Sequence, residues 1–425
     1  MSMTRRTLLG AAAAAGLVTA TGRDSFAVPS PSLVADLRLP TIADNGNLAL
    51  PRGFRAVRVG TVGVEPLLDD RFGSPIAGAA TPSNLDGTGA FDAAGAILLV
   101  RNHECRADSS VPVPLVAGTV YDAGIATGMG GNTVVETKPD GTFVRQWVGL
   151  SGTIRNCAGG ETPWGSWLSC EEDTTKAGTR IIRGGRDWGT TEQDHGYVFE
   201  VFPDVVAKQV PIPIKAWGRA VWEGAAIGPK RTSAYLTEDA GGGLFYRWLA
   251  PEGEVIGPRI AEQFGENDGV LQGAQLVKDG TALVHYGQLT AADLNRPYPI
   301  VWIDGGADRQ AQTTDLRKQF PGATVHPKIE GCWSDGTGLW IALAYTNGAQ
   351  ATAYPTLGLD QDWGMVMFYD YAEQSLTLKE YYAEGNSQGA VAPGHATEDI
   401  KQFHGPDNIT AVSYTHLTLP TNREV

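Results

Sequence analysis

The chain has 425 residues, 42% of them hydrophobic and 19% charged, which excludes wholesale disorder, collagen and coiled coil. Its formal charge of −14 argues against a nucleic-acid binder held by phosphate contacts, while an acidic body is compatible with multivalent cations. The 54 Gly and 25 Pro favour many turns between short strands over long helices.

At the N-terminus, Thr4-Arg5-Arg6-Thr7 leads into an Ala-rich apolar run from Leu8 to Ala20, and Ser25-Phe26-Ala27 closes it with small residues. A charged start, a short apolar middle and an A-x-A-like end read as an export signal over residues 1–27. The paired Arg points to the twin-arginine export machinery as a partner, with a general secretory signal as the alternative. The expected location is exported, periplasmic or extracellular. The run is too short for a membrane span and no later segment is apolar for long enough, so no integral membrane segment is expected.

From residue 45 onward two strand patterns alternate. In the first, an apolar strand ends in acids: Ala96 to Glu104, Gly165 to Asp173 and Ser233 to Asp239, with weaker copies at Ala282–Tyr286 and Leu339–Ala344. In the second, an alternating strand runs into a turn, as at Val134–Gly141, Tyr197–Asp204, Phe245–Trp248, Val301–Asp304 and Val366–Asp370. Period-two alternation punctuated by turn residues is a strand-and-hairpin signal. Five such units are visible and a sixth begins near Phe403. The pattern predicts an all-β propeller with one blade per unit, a pair of β-sandwiches being the structural alternative. A further strand at Gly53–Val59 is placed to close the ring.

In a propeller, equivalent ends of the inner strands converge on one mouth of the central channel. Glu104, Glu171, Glu172, Asp173, Glu238 and Asp239 all stand at that end. Converging carboxylates repel and are costly to desolvate, and bound cations relieve both; an oxygen-rich cluster suits calcium. The alternative is that these acids are solvated and point apart. Four cysteines, Cys105, Cys157, Cys170 and Cys332, have no Cys-x-x-Cys spacing, which leaves disulfide, metal thiolate and free thiol open. Arg219 is expected to pair on the surface.

The stretch Arg155-Asn156-Cys157-Ala158-Gly159-Gly160, continued through Thr162-Pro163-Trp164-Gly165-Ser166-Trp167-Leu168-Ser169-Cys170-Glu171-Glu172, resembles the signature of PhoX-type alkaline phosphatases. Asn102-His103-Glu104, His195-Gly196-Tyr197, Tyr235-Leu236-Thr237-Glu238-Asp239, Glu330-Gly331-Cys332-Trp333 and Gly405-Pro406-Asp407-Asn408-Ile409 match in the same order, so that the resemblance covers residues 50–410. It implies a six-bladed β-propeller with insertions over residues 45–411, carrying iron and calcium as cofactors at one channel mouth and hydrolysing small phosphate monoesters to inorganic phosphate. Carried over by motif, Cys157 is the iron thiolate, with Glu223 and Glu330 as carboxylate iron ligands. Glu104, Glu171, Glu172, Glu238 and Asp407 are calcium-side or supporting acids by the same resemblance. Lys328 stands where the family has Arg, offering the phosphate a point charge in place of a bidentate fork. The competing readings are a calcium-dependent propeller hydrolase of lactonase type and a non-catalytic exported propeller.

Beyond Thr410 the expected turn-then-apolar pattern does not return. Residues 412–425 read as a non-native tail, which would leave the last blade truncated and this 425-residue form inactive, with a genuine short tail as the alternative.

Overall fold

The structure is a computed structural model that describes residues 41–42, 48–49, 57–125, 129–183, 185–204, 209–344, 353–357, 359, 362–383 and 405–411. The expected signal (1–27), the tail (412–425) and the start of a sixth unit near Phe403 lie outside the described residues. The strands run β1 Thr41–Ile42, β2 Leu48–Ala49, β3 Pro66–Leu68, β4 Pro75–Ala80, β5 Leu85–Ala93, β6 Ala96–His103, β7 Gly130–Thr137 and β8 Phe143–Thr153. They continue as β9 Asn156–Glu161, β10 Trp167–Glu171, β11 Arg180–Arg183, β12 Arg186–Thr190, β13 Val198–Val201, β14 Trp222–Ile227, β15 Ser233–Glu238 and β16 Phe245–Leu249. The last are β17 Val270–Lys278, β18 Thr281–Ala282, β19 Pro297–Asp304, β20 Ile329–Ser334, β21 Gly338–Leu343, β22 Asp362–Asp370 and β23 Ser375–Ala383. Among the described residues α-helix is confined to the four-residue Ile260–Gln263 and to Ala353, so the all-β expectation holds. No described helix is long and apolar enough to cross a membrane.

Three sheets carry the architecture. One runs β4-β3-β8-β7-β6-β5, a second β13-β10-β9, and the largest β14-β15-β16-β17-β19-β23-β22-β21-β20, with β18 on its side. The ends of the largest sheet meet, because β14 lies against β20, so it nearly closes on itself like a barrel. Four antiparallel hairpins, β5–β6, β9–β10, β14–β15 and β20–β21, present their first strands to one another around a common centre. Their sequences explain why. The inner strands carry small residues where they touch: a Cβ on Gly160 of β9 would stand 2.0 Å from Ala225 O of β14, and one on Gly224 would stand 2.9 Å from Cys332 N of β20. Bulkier indole and phenol rings sit farther out, where Trp217, Trp222, Tyr246 and Trp248 fill one core and Tyr235, Phe245 and Tyr369 another.

This close approach carries a stability prediction. Gly160→Ala is expected to destabilise the fold by about 1–3 kcal/mol or more, because the contact is with backbone that cannot swing aside. Urea unfolding measures it; a wild-type midpoint would show that the strands can separate freely.

Two expected strands are corrected. Val57–Val59 is not in a strand, the rest of Gly53–Val59 lying outside the described residues. The weak copy at Ala282–Tyr286 is also not one: β18 stops at Ala282, and Tyr286–Gln288 is a turn of 3-10 helix capped by the His285 side chain. The imidazole bonded to the Gly287 N–H curls the chain there, which overrides the apolar alternation.

Candidate metal centre

Each of the four inner hairpins has the same local device. Its first strand carries a potential ligand at its second residue: Asp86 in β5, Cys157 in β9, Glu223 in β14 and Glu330 in β20. A register shift falls at that point in every pair, between Leu85 and Thr88, between the partners of Ser169 and Glu171, between Trp222 and Gly224, and between Ile329 and Cys332. A β-bulge re-aims a side chain out of the pleat, and here it does so four times toward one centre. The second strand of each hairpin then ends with a further fixed position. The backbone N–H of Glu104 donates to Asn84 O (2.8 Å), that of Glu172 to Arg155 O (2.9 Å) and that of Asp239 to Val221 O (3.1 Å). These bonds hold three carboxylates beside the four bulged residues.

The result is one continuous row. Ligand atoms of Asp86, Glu104 and Cys157 lie within 4.8 Å of one another, as do those of Cys157, Glu172 and Glu223, and those of Glu223, Asp239 and Glu330. Cys157 and Glu223 each belong to two of these groups and so link all three. Two cations flank the row. At one end the Arg155 guanidinium holds Glu104 (2.8 Å) and Glu172 (2.6 Å), from a residue in the left-handed region at φ 53°. At the other the Lys328 ammonium contacts Asp239 and lies 3.0 Å from Glu330.

The electrostatics follow from burial. Desolvation, compounded by the Glu330 and Asp407 charges, raises Glu223 well above the usual carboxylate range. Glu330 is raised in the same way by burial and Asp239. Glu172 is pushed up to about 7 by burial and Asp239, against the pull of Arg155. Burial and the charge of Glu223 drive the Cys157 thiol far up; its sulfur lies 2.7 Å from Glu172 Oε2. Burial alone would discharge Lys328, but Glu330 and Asp239 outweigh it and keep the ammonium charged. Acids this crowded and dry are short of positive charge, and the donor set of carboxylates plus one thiol fits cations that accept oxygen and sulfur.

Of the residues singled out from sequence, Cys157, Glu223, Glu330, Glu104 and Glu172 are brought together, with Lys328 at the edge. Asp407 stands close: its carbonyl accepts from the Gly331 N–H (2.9 Å), and its charge acts on both Glu223 and Glu330. Glu171 and Glu238 are not part of the row. The Glu171 carboxylate accepts from His195 (2.6 Å), Ile154 N (2.9 Å), Gly196 N (2.8 Å) and Tyr197 N (3.2 Å). Glu238 is bonded to Tyr246 Oη (2.7 Å) and Arg317 (3.0 Å). Asp173 caps the Thr175 N–H instead. Arg219 is corrected: it is 2% exposed, and its guanidinium braces the carbonyls of Thr174, His195, Gln310 and Ala311. All four cysteines are buried free thiols, so Cys157 and Cys170 form no disulfide. Asp86 was missed by sequence reasoning, and Asp239 was seen as an acid at the mouth without a ligand role.

Fold and site together define an all-β protein with a buried cluster of carboxylates and one thiol whose donor atoms could hold metal ions. The family model for alkaline phosphatase PhoX matches residues 38–146 and 130–424. The chain belongs to that family, and with it to the phosphoric monoester hydrolases. Among solved structures the chain is similar to Pseudomonas fluorescens PhoX in complex with vanadate, a transition state analogue, at a TM-score of 0.56 and 18% identity over 85% of this chain and 79% of that one. No curated protein matches the chain.

Proposed function

We propose that the chain hydrolyses small phosphate monoesters outside the cytoplasm, using iron and calcium held in the buried row. The observation that carries this reading is the continuous set from Asp86 to Glu330 with a charged lysine at its end, in a member of a phosphatase family. Cys157, Glu223 and Glu330 are the residues assigned to iron, and Asp86, Glu104, Glu172, Asp239 and Asp407 those assigned to calcium. When bound, such cations polarise phosphoryl oxygens and offset the charge of the incoming dianion. The protein's own groups do the rest. The bulged strands fix the donors before any ligand arrives, and Arg155 fastens Glu104 to Glu172. The Lys328 ammonium, 23% exposed, offers charge-assisted hydrogen bonds to phosphate oxygens from the edge of the row. Six blades around a channel are the arrangement this reading expects, and the four bulged hairpins would be four of its inner pairs. An exported location rests on the residues 1–27 pattern.

Elemental analysis of the purified protein, with p-nitrophenyl phosphate hydrolysis before and after calcium chelation, tests the reading. Iron and calcium should co-purify, chelation should abolish turnover, and Cys157→Ala should remove iron and turnover together. Full turnover without iron would overturn the metal assignment, and hydrolysis of lactones in place of phosphate esters would overturn the function.

A further inference from the structure

The position that holds Glu104, Glu172 and Asp239 exists in the fourth hairpin too. There the Ala344 N–H donates to Lys328 O (3.1 Å), the counterpart of the three bonds that seat the acids. Leu343 pairs with Ile329 just as His103 pairs with Leu85, Glu171 with Asn156 and Glu238 with Trp222. Ala344, 3% exposed, is about as buried as Glu104 at 7% and Glu172 at 5%. One quarter of an otherwise acidic ring therefore carries a methyl group.

The same equivalence relates the two cations. Arg155 and Lys328 both sit two residues before the bulged ligand of their own hairpin, Cys157 and Glu330. Arg155 bridges the acid of the preceding hairpin, Glu104, to the acid of its own, Glu172. Lys328 likewise takes the acid of the preceding hairpin, Asp239, but at the place of its own hairpin's acid stands Ala344. Its second carboxylate is Glu330, the bulged residue itself. The Arg155 end is thus filled by protein carboxylates, and the Lys328 end is short of one.

We propose that Ala344 keeps the Lys328 end of the centre open to an oxyanion, so that the phosphoryl group of the substrate occupies the place of a fourth carboxylate beside the ammonium. This rests on the phosphatase reading and adds a specificity-determining residue to it. A carboxylate at position 344 would take the lysine for itself and repel a phosphate dianion. A side chain of the same size without charge would do neither.

The test compares Ala344→Glu with Ala344→Gln, and the shorter pair Ala344→Asp with Ala344→Asn, in the full chain. Calorimetric binding of inorganic phosphate and the KM for p-nitrophenyl phosphate are measured alongside metal content. Both acidic variants are expected to weaken phosphate binding and raise KM by about tenfold or more, with metal content kept, while each amide stays within about threefold of wild type. Equal shifts for acid and amide, wild-type phosphate binding in the acidic variants, or loss of metal from them alone would overturn the proposal. So would failure of all four to fold, which would make the position purely structural. A wild-type protein without phosphate-ester turnover would instead sink the functional reading, while normal turnover with an indifferent position 344 sinks this inference alone.

Discussion

Glu223→Gln is expected to lower turnover on the order of a thousandfold and to release metal from the centre while leaving the fold intact. Glu223 is chosen over its neighbours because it joins Cys157 and Glu172 on one side to Asp239 and Glu330 on the other. Losing it breaks the row in the middle, whereas losing Asp86 or Asp239 trims an end. The amide keeps the shape of the side chain, so its 2%-exposed position on β14 remains packed. The effect on stability should have opposite signs with and without metal. In metal-stripped protein, an acid buried among Glu330, Asp407, Glu172 and Asp86 is held protonated at a cost relative to the unfolded chain, and replacing it with the amide should raise the melting temperature. In metal-loaded protein the same change removes a ligand, and with it the stabilisation that metal binding adds to the folded state. Melting curves of wild type and variant, each with and without metal, read this crossover. A variant that binds metal and turns over like wild type would remove Glu223 from the centre.

Much of the fold was legible because strands announce themselves by alternation and turns. The segments Ala96–Glu104, Ser233–Asp239 and Leu339–Ala344 correspond to β6, β15 and β21 within a residue or two. The centre was partly legible, and its gaps have physical causes. Where two acids follow one another at a strand end, successive side chains point to opposite faces. In Glu171-Glu172 and in Glu238-Asp239 the second acid faces the centre, while the first turns back to His195 or to Arg317. That choice depends on the register at a bulge, which composition does not reveal. Asp86 was hidden by its own neighbour, since the dipeptide Asp86-Gly87 reads as a turn signal. A signal was nevertheless present: Asp86-Gly87, Cys157-Ala158, Glu223-Gly224 and Glu330-Gly331 each couple a donor to a small residue at the start of an inner strand. The donor faces the centre and the small residue lets the adjacent inner strands meet.

The second large effect concerns pH and a motif whose chemistry lies behind the centre. His195, fully buried, is held between Glu171 (2.6 Å to Nδ1) and Asp122 (3.1 Å to Nε2). The Tyr121 ring stands edge-on to it at 5.5 Å, and the Arg219 guanidinium donates to its backbone carbonyl. Burial alone would discharge the imidazole, but Glu171 and Asp122 outweigh it and raise its pKa to about 10. Since the folded value exceeds the ordinary 6.5, the imidazolium stabilises the fold fully below that pH, and the contribution is lost as pH rises through about 10. Its ceiling is about 5 kcal/mol, at about 1.4 kcal/mol per pH unit across the gap. Urea unfolding from pH 6 to 10.5 should therefore show wild type converging on His195→Gln as pH rises, with the largest difference near pH 6. The other acids of the centre titrate in both proteins, so the difference between the two curves isolates the histidine. A pH-independent gap between them would mean that His195 is neutral in the folded protein. A neutral ring has a single N–H, so it would donate to only one of Glu171 and Asp122, and the other carboxylate would rest on its backbone N–H partners.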